Sequence, residues 1–109
     1  MNAAIAPPET ARPPSALEER FNTFHREHPE VFERLRELAL QARRAGITRY
    51  AIATLYERVR WHFEIVERRK DLKLNNSHRS FYSRMLMAEV PALAGFFETR
   101  QLHSERSGK

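Results

Sequence analysis

The chain has 109 residues, a formal net charge of +5, 41% hydrophobic and 30% charged residues, and no Cys. That length holds one domain with a small core, and the missing Cys excludes disulfides, thiolate catalysis and thiolate-bound zinc. No apolar run approaches the roughly 20 residues of a membrane-spanning helix, and the N-terminus lacks the basic start and apolar core of a secretory signal. A cytoplasmic protein in a bacterial host cell, with no membrane partner, is the expectation.

The charge is unevenly placed. Sixteen of the nineteen basic residues are Arg. Residues 15–33 hold two basic and five acidic residues, whereas 34–84 hold thirteen basic and five acidic, a net of +8. The segments 1–14 and 85–109 each balance. A positive middle suits a polyanionic partner. The plainer reading is a solvated Arg-rich surface.

Residues 1–14, "MNAAIAPPETARPP", carry four Pro and no apolar periodicity, and read as a disordered Pro/Ala-rich arm. The helical domain is expected over 15–103 and a flexible tail over 104–109. "SALE" is a capping box, with Ser15 as N-cap and Glu18 three residues on. Leu17, Phe21 and Phe24 then mark the buried face of a first helix.

"HPEVFERLRELALQARRAG" predicts a second helix. Pro29 suits its first position, Glu30 and Glu33 face the positive end of its dipole, and Arg43 and Arg44 the negative end. Gly46 is a natural residue just past its end. "TRYAIATLYERVRWHFEIV" predicts a third helix capped by Thr48. Ile52, Leu55, Tyr56, Val59, Phe63 and Val66 fall on one face at about 100° per residue. Trp61 and Ile65 project from the other side.

In "ERRKDLKLNNS", Leu72 and Leu74 alternate with polar residues, which permits a short strand or hairpin near 71–75. Asn76 or Ser77 would cap a fourth helix, "HRSFYSRMLMAEV", with Ser83, Arg84 and Met87 on its outer face. "PALAGFFETRQL" predicts a short last helix that brings Leu93, Phe96 and Phe97 to the core, with Gly95 as a close-packing residue. The fold class expected is all-α, a compact bundle of four to five short helices, helix-turn-helix or winged-helix-like.

Two helix pairs could meet a groove. The second and third are joined by "AGIT", close to the three or four residues of a helix-turn-helix. The third and fourth have a longer basic connector between them. Both remain open. Arg can contact phosphate or guanine, Asn can contact adenine, and helix N-termini favour phosphate. The contact set expected from these readings is Arg43, Arg44, Arg49, Thr54, Arg58, Arg68, Arg69, Lys70, Lys73, Asn75, Asn76, His78, Arg79 and Arg84. Trp61, Ile65 and Met87 form an apolar set outside the predicted core, a protein interface if they make one exposed patch. If the chain's own C-terminus covers them, a DNA partner gains.

His25 and His28 share a helix face, but a zinc site needs three or four ligands, so no metal site and no cofactor are expected. No phosphate-binding Gly-rich loop, HExxH or nucleophilic triad spacing is present, so no enzyme is expected. The aromatic residues sit mostly at core spacing and read as core, with Trp61 the exception.

The stretches "FHREHPEVFERL", "GITRYAIATLYERVRW", "KLNNSHRSFYSRMLM" and "PALAGFFETR" together resemble a family of small uncharacterised proteins of bacteriophages and prophages. The likeness covers about residues 21–100. It rests on His28-Pro29-Glu30, Arg49-Tyr50, Arg60-Trp61, Lys73-Leu74-Asn75 and Gly95-Phe96-Phe97. It implies a phage or mobile-element setting and supplies no catalytic residues. The expected function is non-catalytic nucleic-acid binding, DNA ahead of RNA, as a regulator or accessory factor. The alternative is a protein-binding inhibitor or adaptor, such as an anti-CRISPR-like inhibitor of a host defence complex. That alternative would use the same face against an acidic or nucleic-acid-binding protein. A homodimeric packing module is the third expectation.

Overall fold

A computed structural model describes residues 15–97. They form an all-α bundle of four helices: α1 (Ala16–Glu27), α2 (Pro29–Arg44), α3 (Ile52–Trp61) and α4 (Arg79–Glu89). A π-helical turn, His62–Val66, continues α3, and the 3-10 turns Asn76–His78 and Pro91–Leu93 flank α4. The expected arm and tail, residues 98–102 of the expected last helix and His103 lie outside the described residues.

The helix ends in the first half follow their local chemistry. Ser15 Oγ accepts from the Glu18 N–H at 3.0 Å, satisfying one of the orphan donors that every helix start leaves. Pro29 opens α2, directly after His28 has closed α1. Gly46, at φ +96°, ends α2. Its N–H bonds to the Arg43 carbonyl at 3.0 Å and the Ile47 N–H to that of Ala42 at 3.1 Å, the paired bonds of a Schellman motif.

α3 departs from its expected form at both ends, by a tertiary contact at the start and a π turn at the finish. Thr48 is not its cap: the helix starts at Ile52, after Ala51, which makes no side-chain cap bond. The Tyr50 N–H donates to the Phe96 carbonyl at 3.0 Å, and Tyr50 pairs with Phe97 in an isolated parallel bridge. This pairing holds Tyr50 out of the helix, and Ala51 after it is extended. The connection between α2 and α3 is therefore seven residues, 45–51, rather than a tight turn at "AGIT". At the other end the Glu67 N–H reaches the His62 carbonyl, five residues back, at 2.9 Å. A π turn advances each residue by a smaller angle than an α turn. Val66, expected in the core stripe, is consequently 61% exposed, while Phe63 stays buried.

The strand considered near 71–75 is absent. Residues 71–75 are irregular, yet Leu72 and Leu74 are both buried. Their alternation records burial against helices, with no neighbouring strand to pair with. The last helix reduces to the turn Pro91–Leu93 and a bend at Ala94–Gly95, which turns Phe96 and Phe97 inward. Gly95 sits at φ +73°, and a Cβ there would meet nothing within 4 Å. Its role is conformational, not close packing.

The core joins α1 (Phe21), α2 (Val31, Leu35, Ala39), α3 (Leu55, Tyr56, Val59), α4 (Tyr82, Leu86) and the C-terminal bend (Leu93, Phe96). Two buried tyrosines differ in their hydroxyls. Tyr56 donates to the Asn75 carbonyl at 2.8 Å, tying α3 to the connector, and burial pushes its pKa up to about 12. The Tyr82 hydroxyl is buried without a partner among the described residues, and burial raises its pKa strongly. Tyr56→Phe is expected to cost about 1 kcal/mol and Tyr82→Phe to be neutral or stabilising, because only the first removes a made bond. Urea unfolding of the two variants side by side checks the contrast.

Candidate functional site

Ion pairing sorts the basic residues of 34–84 into two groups. Arg34 pairs with Glu37 at 3.4 Å and Arg36 with Glu33 at 2.7 Å on α2. Arg60 pairs with Glu57 on α3. The largest assembly is on the connector. Arg69 makes two 2.9 Å bonds to the Asp71 carboxylate and one of 2.8 Å to Glu30, and lies 3.7 Å from Glu67. Its hydrogen bond holds the Asp71 carboxyl at about 2 and raises the guanidinium's own pKa. Burial by itself raises the Glu30 carboxyl, but the Arg69 bond and the charges of Arg69 and His28 outweigh it and leave the pKa lowered. Arg69 is therefore a structural clamp between α2 and the connector, and its charge is spent internally.

In the "NNSHR" edge, Asn75, Asn76 and Arg79 are likewise engaged internally. Asn75, not Asn76 or Ser77, is the capping residue: its side chain accepts from the Ser77 N–H at 2.8 Å. Asn76 Oδ1 accepts from Arg60, and its carbonyl accepts from Arg79 Nε at 3.2 Å. His78 is only 4% exposed, between the rings of Phe21 and Phe24 at 5.5 Å each. It is a core residue and cannot meet a partner at the surface, because the 3-10 turn points it inward against α1. Ser83, expected on the outer face of α4, is buried and donates to the Ser80 carbonyl.

The His78 ring nitrogens are buried and have no partner among the described residues. Burial, and then the charge of Arg20, lowers the His78 pKa. The folded state thus binds fewer protons than the unfolded state below the ordinary His value of about 6.5. Stability is expected to be full above that pH and to decline as the pH falls through it toward the lowered folded pKa. His78→Leu should flatten this part of the profile and, by removing two unsatisfied polar atoms, raise stability at neutral pH by about 1 kcal/mol. Unfolding free energies of both proteins from pH 5 to 8 check it, the difference between them isolating His78 from His25, His28 and His62.

What remains is a strip along the end of α3 and the connector. Arg58 and Trp61 lie at one-turn spacing on α3, beside a shallow groove also lined by Ala53, Thr54 and Glu57. Ile65 follows one turn on. It opens a second shallow depression lined by Glu64, Arg68, Lys70, Leu72 and Lys73 as well as by Arg69. Arg58, Arg68, Lys70 and Lys73 are exposed and have no ion-pair partner among the described residues. Trp61 is 62% exposed and Ile65 51%. Arg68 holds φ +55°, the left-handed backbone that ends the π turn, where the Arg69 N–H closes on the Phe63 carbonyl at 2.8 Å. For a residue other than Gly this conformation costs about 1–2 kcal/mol.

The other expected contact residues lie elsewhere or are engaged. Arg43 Nε donates to the Ala92 carbonyl at 3.3 Å, bracing the C-terminal turn, and Arg44 is exposed nearby at the end of α2. Arg49 is exposed on the 45–51 connection, and it is engaged. Arg84 lies over the Phe81 ring at 5.3 Å. Met87 is half-buried against the core, whereas Val66, next to Ile65 in the chain, is exposed, as are Ile47 and Tyr50 on the 45–51 connection. Cover for Trp61 from the arm or tail lies outside the described residues. Among the described residues, no group of three or more His, Asp or Glu is placed to hold a metal ion, and no helix is long and apolar enough to cross a membrane. No protein-family model, curated protein or solved structure matches the chain.

Proposed function

We propose that the protein binds nucleic acid without catalysis, as a small basic accessory factor or regulator of phage type, and that its contact surface is the strip from Arg58 to Lys73. The observation that carries this reading is the residue of charge left after internal pairing. The paired Arg residues stabilise the bundle, while Arg58, Arg68, Lys70 and Lys73 stay exposed on one continuous stretch. Unpaired cations concentrated on a surface attract a polyanion at long range.

Counterion release provides the test. Four backbone contacts give a slope of log K against log salt of about −3 on single strands and −4 on duplex DNA. Binding titrations at several salt concentrations are expected to return a slope in that range. A flat response, or no binding at low salt, overturns the reading.

The exposed trio Trp61, Ile65 and Val66 favours a second reading, an inhibitor or adaptor that docks on another protein. Aromatic residues are enriched at such interfaces and Lys is depleted. Here Arg58 lines the groove beside Trp61, and Arg68, Lys70 and Lys73 line the depression at Ile65. Three side chains also fall well short of the roughly 800 Å² per partner of a standard interface. The exposed cations favour the nucleic-acid reading.

A further inference from the structure

We infer that the strip takes single-stranded nucleic acid, with a base stacked on the exposed ring of Trp61 and the adjoining phosphates held by Arg58, Arg68, Lys70 and Lys73. The inference rests on the nucleic-acid reading above and adds the class of strand and the residue that distinguishes it.

Three observations support it. First, Trp61 is 62% exposed in a chain whose other large aromatic residues are mostly buried. A ring left in water, with Arg58 in the same groove and further cations along the adjoining chain, is the arrangement by which proteins hold unpaired bases, since every base has a π face. In a duplex those faces are already stacked, and only base edges reach a protein. Second, the cations lie on both sides of the ring along the chain. Arg58 precedes Trp61 by about one helical turn, and Arg68, Lys70 and Lys73 follow it beyond Ile65. A strand laid along the strip therefore meets positive charge before and after the stacked base. Third, the strip is shallow and ends in irregular backbone. Its cations after Trp61 come from the π turn's end and the connector, not from a helix that stands clear of the surface. A major groove about 8.5 Å deep needs a protruding helix or ribbon to reach its base edges. A flexible strand can instead drape over a shallow surface. The π turn contributes directly, because it rotates Val66 out of the core and brings the chain into the left-handed Arg68.

Trp61 is the single Trp of the chain, so its fluorescence reports the proposed contact directly. The full chain is titrated with oligothymidylate, with the duplex it forms with oligoadenylate, and with inorganic polyphosphate, which has charge but no bases. Oligothymidylate is expected to quench Trp61 emission to saturation. Duplex and polyphosphate are expected to bind, by a separation-based assay, and to leave the emission nearly unchanged. Trp61→Ala should weaken oligothymidylate binding by about 5- to 150-fold, the range measured for removal of one base-stacking side chain. It should leave polyphosphate binding unchanged, and Trp61→Phe should restore most of the loss. Equal quenching by all three polymers, or unchanged oligothymidylate affinity in Trp61→Ala, overturns the single-strand inference while leaving nucleic-acid binding in place. If none of the polymers binds at low salt, both readings fail together and a protein partner for the Trp61 patch takes their place. Far-ultraviolet circular dichroism of each variant, expected to match the parent because the ring is exposed, separates loss of binding from loss of fold.

Discussion

Phe21→Ala is expected to lower the unfolding free energy by about 3–5 kcal/mol, the largest effect of any single substitution outside the interface. Phe21 is buried to 2% exposure and is the main side chain by which α1 enters the core. It stacks on Phe81 at 5.0 Å and meets Tyr82 edge-on at 4.8 Å, so it joins α1 to α4. It also forms one wall of the His78 site at 5.5 Å. Truncation opens a cavity among rigid rings that cannot collapse to fill it, and it admits water to a histidine whose ring nitrogens lack partners among the described residues. Domains of this size are stable by about 5–15 kcal/mol in total. The variant should therefore lose a large share of the domain's stability. Urea denaturation checks the magnitude, and a loss under 1 kcal/mol would show that α1 is not integral to the core.

The combined substitution Arg68→Gln, Lys70→Gln and Lys73→Gln is expected to have the largest effect on binding. Each phosphate contact on a single strand contributes about −0.7 to the salt slope, so losing three should make it shallower by about 2. The same relation gives an affinity loss of about 50-fold near physiological salt. Stability should change by no more than about 0.5 kcal/mol, since none of the three makes an ion pair among the described residues. Arg69→Gln is the informative contrast. It lies in the same segment but clamps Glu30 and Asp71, so its loss should be felt mainly in stability. Slope and unfolding free energy measured on both variants separate the two roles. An unchanged slope in the triple variant would move the contact surface away from the connector.

Local chemistry was sufficient where it decides structure on its own. The Ser15 cap, Pro29 at the start of α2, the Schellman end at Gly46 and the apolar faces of α1, α2 and α4 act within a few residues of themselves. They are therefore readable from spacing and residue type, and they are enough to determine an all-α bundle. The cationic middle segment and the odd position of Trp61 are equally legible, because net charge and helical phase are properties of the chain.

Only tertiary structure decided the rest. Thr48 is an adequate cap, but the bridge from Tyr50 to Phe97, 47 positions away, holds Tyr50 out of the helix and moves the helix start to Ile52. The π turn at His62–Val66 breaks the 100° periodicity from which Val66 was assigned to the core. His78 reads as a surface donor beside Arg79, yet the path of the 3-10 turn drives it between Phe21 and Phe24. The division of the basic residues into structural and free ones is decided the same way. Arg69 and Lys70 are neighbours of like charge, but Arg69 is held by Asp71 two residues on and by Glu30 approaching from α2, while Lys70 is left to face solvent. A sequence records how many charges a segment carries. Which of them remain available to a partner depends on carboxylates brought close by folding, and that depends on distances across the bundle.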